Sequence, residues 1–195
     1  MKTGPELRRG FRFLNYAVQR RLRRCKSLPP NIAQTPGVKR DDAEARSPGR
    51  RLRWYEVRIP GIGDPSIYQQ GTYAPNDGAL NPLWRWMGSV AQDKKGDIAA
   101  GFSASGPNDY PSVRYTGRAA GDPLGQMTQA EQVAYTGTGP QTEAEGRWGD
   151  YSDLTVDPGD DCTFWYTQEY LGQDLLLIGT WRTRVVSFKF PGCKK

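Results

Sequence analysis

Ser89-Val90-Ala91-Gln92-Asp93-Lys94-Lys95-Gly96-Asp97-Ile98-Ala99-Ala100-Gly101-Phe102-Ser103 decides how this chain is read. It aligns without a gap on Asp153-Leu154-Thr155-Val156-Asp157-Pro158-Gly159-Asp160-Asp161-Cys162-Thr163-Phe164-Trp165-Tyr166-Thr167, 64 positions later. Identity between the copies is low, but the order strand, Asp-led turn, Asp, strand is kept. Asp and Gly are the residues a tight turn requires, and Gly96 stands at the closing position of the first. A further strand follows each copy, at 111–118 and at 180–190.

Working outward, Trp54-Tyr55-Glu56-Val57-Arg58-Ile59 reads as a strand stopped by Pro60-Gly61, with further strands expected at 68–73 and 84–92. A module of about 60 residues with three or four strands is what a propeller blade produces, because each blade buries its faces only against its neighbours. The expected fold is therefore all-β, a partial β-propeller of about two and a half blades over residues 52–195, preceded by a basic segment over 1–51 that is disordered or helical. A closed propeller has about four to eight blades. The reading thus expects an incomplete ring whose remaining blades come from elsewhere, since open blade faces and strand edges are adhesive.

Composition agrees with short strands and many turns: Gly 23, Pro 15 and only 36% hydrophobic residues, with aromatics at 11%. There is no histidine. That excludes Ser-His-Asp and Cys-His catalysis, His-ligated zinc and the HExxH protease site. The net charge of +6 is unevenly spread. Up to Arg53, 15 Lys or Arg stand against 4 acids, whereas the remainder holds 12 against 17. Within the basic segment, Leu7, Phe11, Leu14, Val18 and Leu22 have helical spacing, while 27–51 is rich in Pro, Asp and Arg. A basic amphipathic helix would suit an anionic membrane or nucleic acid. The abrupt compositional change at Arg51 favours a disordered extension instead, so nucleic acid is not the expected partner. No stretch approaches the roughly 20 apolar residues of a membrane span, and no apolar core of a signal peptide is present. As written, the chain is expected in the cytoplasm.

Five groups of residues carry candidate chemistry. Cys162 and Cys193 flank the expected strands 162–170 and 180–190, so an antiparallel hairpin brings them within disulfide reach. Two buried free thiols are the alternative, and Cys25 is left unpaired. Asp157, Asp160 and Asp161 cluster in one turn that would suit Ca²⁺, although a hairpin turn capped by Asp needs the same residues. Asp150, Asp153, Glu169 and Glu56 are the acids available to a glycosidase pair, with Arg114, Arg118, Arg147, Arg182 and Arg184 available to bind an acidic sugar. Surface ion pairs account for the same residues. Arg147-Trp148-Gly149-Asp150-Tyr151-Ser152 and Trp84-Arg85-Trp86-Met87-Gly88-Ser89 precede the first strands of two copies, places that approach the channel of a propeller.

These segments, together with Pro111-Ser112-Val113-Arg114-Tyr115-Thr116-Gly117-Arg118, Asp160-Asp161-Cys162-Thr163-Phe164-Trp165-Tyr166-Thr167 and Ser187-Phe188-Lys189-Phe190-Pro191-Gly192-Cys193, resemble the end of the propeller region in large secreted bacterial proteins, broadly sialidase-like or BNR-repeat-like. The likeness runs over about 53–193. It implies an extracellular or cell-surface setting, supports the disulfide and implies little about catalysis. The sialidase box Ser-x-Asp-x-Gly-x-x-Trp is not met, so no sialidase residue is carried over. The expected function is a non-catalytic propeller fragment serving as an interaction or carbohydrate-binding scaffold, its partners being further blades or another chain. A glycoside hydrolase, with Asp150, Glu169 and Arg147 as its catalytic candidates, is the alternative.

Overall fold

The computed structural model describes residues 51–60, 63–75, 83–141, 148, 152–173 and 179–194. The elements among them are all strands, and no helix there is long and apolar enough to cross a membrane. The basic segment expected to be helical or disordered lies, up to residue 50, outside the described residues.

β1 (Leu52–Arg58) and β2 (Ser66–Tyr73) make a first sheet. β3 (Trp84–Gln92), β4 (Ile98–Gly106), β5 (Asp109–Arg118) and β6 (Gln129–Tyr135) make a middle sheet, and β7 (Asp153–Val156), β8 (Phe164–Gln173) and β9 (Gly179–Phe188) a last one. Every pairing is antiparallel and joins neighbours in sequence. The sheets stack face to face in chain order. Leu52 and Tyr73 of the first sheet pack on Ala100, Phe102 and Ala104 of β4. From the other face of the middle sheet, Ala99 and Val113 pack on Leu154, Phe164, Tyr166 and Tyr170 of the last.

β4 explains why this works. Its sequence, Ile-Ala-Ala-Gly-Phe-Ser-Ala-Ser-Gly, is a run of small and apolar residues, as in a strand buried on both faces, not an alternation. At Gly101 the Tyr166 ring lies directly over the backbone, and an added Cβ would come 2.5 Å from Tyr166 Cζ. Gly101→Ala is therefore expected to cost about 1 to 3 kcal/mol in urea unfolding. Gly121→Ala, with nothing within 4 Å of the new methyl, is the matched control and should leave the midpoint nearly unchanged.

The repeat appears as two corresponding three-strand units, β3–β5 and β7–β9, but the gapless alignment needs correction. Gln92 lies opposite Ile98, whereas its counterpart Val156 lies opposite Phe164 and not Cys162. The second turn is longer because Asp160 folds back on Cys162 and Thr163, accepting both backbone N–H groups at 2.8 Å. β8 accordingly starts later than expected and runs further, to Gln173. β6 was not expected at all. Its Gln-Ala-Glu-Gln-Val-Ala-Tyr has little strand character and is drawn into the sheet by pairing with β5.

Cys162 and Cys193 form a disulfide with Cα atoms 5.6 Å apart. It ties the turn before β8 to the residues after β9, and both cysteines are buried.

Candidate functional site

The Asp-led turns come first because they held the calcium candidates. In the first turn, Asp93 Oδ1 accepts the N–H of Lys95 at 2.9 Å and that of Asp97 at 3.0 Å. In the second, Asp157 Oδ1 accepts Gly159 N–H at 2.7 Å and its Oδ2 accepts the Trp165 indole N–H at 3.1 Å. Asp160 also accepts the Thr163 hydroxyl at 2.7 Å. Asp161 takes a φ of 53° and offers its carbonyl to Lys94 N–H at 2.9 Å, which hooks the two turns together. The acids thus act as turn caps, and among the described residues no group of three or more acidic or sulfur side chains is placed to hold a metal.

The two turns carry opposite pH signatures. Burial pushes the Asp93 carboxyl up, against the pull of the Asp97 N–H. The N–H groups of Thr163 and Cys162, followed by the Thr163 hydroxyl, hold Asp160 far below the usual carboxylate range. A depressed folded-state pKa means that Asp160 contributes stability above its unfolded value, near pH 4, and that this contribution is lost as the pH falls from there. Asp160→Asn should therefore flatten the acid limb of the stability profile, read by thermal unfolding between about pH 2 and 5.

Among the described residues, the glycosidase candidates do not converge. Arg147 and Asp150 lie outside the described residues. Asp153 pairs with Thr167, and the strand alternation puts Glu169 on that same outward face of the last sheet. Glu56 is elsewhere, buried in the first sheet, where it accepts from Gln69 Nε2 at 2.6 Å and pairs with Arg58 at 3.2 Å. Arg182 and Arg184 leave β9 on the face opposite to Glu169, with Arg184 lying 5.0 Å over the Tyr135 ring. Arg118 is buried and donates to the Asp122 carbonyl. Arg114 is committed to Glu131 at 2.9 Å and Asp109 at 3.3 Å.

That last arginine belongs to a charged network that sequence reasoning missed. Arg85 on β3 reaches Glu131 on β6 at 2.8 Å, and Arg114 on β5 holds the other Glu131 oxygen. Arg85 is 2% exposed and lies over the Tyr73 and Phe102 rings at 5.4 and 5.9 Å. Burial, with Glu131 adding to it, pushes the Tyr73 hydroxyl up, so the phenol stays neutral. A tyrosine, a carboxylate and two arginines therefore meet between the first and middle sheets. They are sealed there by Leu52, Tyr73 and Phe102, and the charges balance one another with Asp109 as the exposed member. The missing signal was β6, without which Glu131 had no place.

The remaining cluster is aromatic. The Trp148 ring sits 5.4 Å from Trp86 and 5.1 Å from Trp181, bridging the start of β3 and the start of β9. Its indole N–H donates to Ser103 Oγ at 2.9 Å. All three side chains are partly exposed, and the row packs the passage from the middle to the last sheet. An indole row of this kind suits the apolar faces of sugars, which stack on flat aromatic surfaces. Comparison with known proteins adds no relative, since no family model, curated protein or solved structure matches the chain.

Proposed function

We propose that residues 52–195 are blades of a β-propeller that serves as a non-catalytic binding scaffold, with carbohydrate as the ligand chemistry. The observation that carries this reading is the middle sheet, covered on both faces by sheets that follow one another in sequence, as blades are. β1 lies against β3 and β3 against β7, an order that fits first strands gathered round a common axis. The Trp86–Trp148–Trp181 row lies at one end of these strands, where a propeller presents its ligand surface. A disulfide belongs to an oxidising compartment, which supports a secreted or cell-surface setting.

Titrating the full chain with a panel of oligosaccharides, sialosides included, is expected to change its tryptophan emission. Trp148→Ala should weaken that binding about tenfold, the scale of one aromatic contact, while far-ultraviolet circular dichroism stays all-β. The same preparation should not cleave aryl glycosides or sialosides. Turnover that disappears in Asp150→Asn or Glu169→Gln would replace the scaffold with the glycoside hydrolase reading.

A further inference from the structure

The middle sheet has four strands and the last has three, and the outer edge of β9 pairs with no strand among the described residues. That edge is long and even. β9 pairs with β8 over all of its 10 residues without a register shift, and it carries neither Pro nor Lys. Bulges, Pro and Lys are the usual devices that keep other strands away from an edge. The charges on β9 are Arg182 and Arg184.

The middle sheet shows how the equivalent edge is filled. From Ile98 and its counterpart Phe164, four positions along each strand lead to Phe102 and Gln168, and the residues opposite these are Arg114 and Arg184. Arg184 therefore holds in the last sheet the place that Arg114 holds in the middle one. Arg114 binds Glu131 of β6 at 2.9 Å, and Tyr73, the last residue of β2 in the preceding sheet, stands beside the same carboxylate. Arg184 lies 5.0 Å over the ring of Tyr135, which is again the last residue of a strand in the preceding sheet. The tyrosine and the arginine recur, but among the described residues no carboxylate pairs with Arg184, and its side chain is exposed.

We propose that the edge of β9 receives an extended, acid-bearing segment of a partner chain as an added antiparallel strand. The partner's carboxylate seats on Arg184 beside Tyr135, as Glu131 seats on Arg114 beside Tyr73. Main-chain hydrogen bonds along β9 supply affinity with little regard to sequence, and the charge-assisted pair with Arg184 selects the partner. β6 shows how little else is required, since its Gln-Ala-Glu-Gln-Val-Ala-Tyr has weak strand character and is held on β5 by the same two devices. The edge exists whether or not the three sheets are propeller blades.

A synthetic peptide with the sequence of residues 127–137 carries β6 and its acid, and serves as the probe. Titrated against the full chain at low salt and followed by fluorescence anisotropy, the labelled peptide is expected to bind and to slow amide exchange in β9 without changing β5. Arg184→Glu should weaken binding at least about tenfold, and a Glu131→Lys peptide should recover binding to that variant. Arg184→Met, which keeps the apolar stem, should lose binding of the native peptide as well, while circular dichroism of both variants stays all-β. No binding to the native chain, binding indifferent to Arg184, or altered exchange in β5 through displacement of its resident strand would each overturn the proposal. β9 amides already protected without peptide would also overturn it, and would assign the edge to the chain itself or to a second copy.

Discussion

Glu131→Ala is expected to lower the unfolding free energy by about 3 to 5 kcal/mol, because it strands the buried Arg85 at a sheet interface and leaves Arg114 only the exposed Asp109. Arg85 is the more severe case, at 2% exposure and with the Tyr73 and Phe102 rings as its remaining company. Urea unfolding followed by circular dichroism reads the loss. The buried pair need not be a net source of stability, since the desolvation of both ions opposes their attraction. Arg85→Met combined with Glu131→Leu should therefore recover most of what the single change loses. If Glu131→Ala proves nearly neutral, the network is solvated and the first sheet does not seal it.

Removing the disulfide is the second large effect. Cys162 and Cys193 are separated by 31 positions. In the chain-entropy account, a loop of that size corresponds to about 3 to 4 kcal/mol of stabilisation, lost in a Cys162→Ala/Cys193→Ala double variant. For a chain of this length the melting temperature should fall by about 7 to 15 °C. Dithiothreitol should reproduce that fall in the native protein and leave the double variant unmoved. The single variants add a buried thiol without its partner and should be no more stable than the double one.

Much of the fold was legible because its signals are local. The Asp-led turns, the Gly at Gly96 and the all-β texture follow from residues within a few positions of one another, and a hairpin with cysteines at its open end needs only a strand pairing to predict a bridge. The candidate site was less legible. Asp157 and Asp160 could be read as ligands as well as turn caps until their oxygens are seen to be occupied by N–H groups. The indole row was legible only as two Trp-containing segments in equivalent places. That Trp148 stands between Trp86 and Trp181 depends on three segments far apart in sequence.

By itself, then, the sequence determined the strand-and-turn grammar, the repeat of that grammar and the absence of imidazole chemistry, and it put Cys162 and Cys193 within reach of each other. Tertiary structure alone decided which turn is longer, that the Gln-rich segment 129–135 becomes an edge strand, and that Arg85, Glu131 and Arg114 share one buried network. The division has a physical reason. Turn geometry and strand alternation are set by backbone dihedrals and hydrogen bonds a few residues apart, which composition reports directly. The facing of one sheet on another is set by which side chains, remote in the chain, fill the space between them, as Tyr166 fills the space over Gly101.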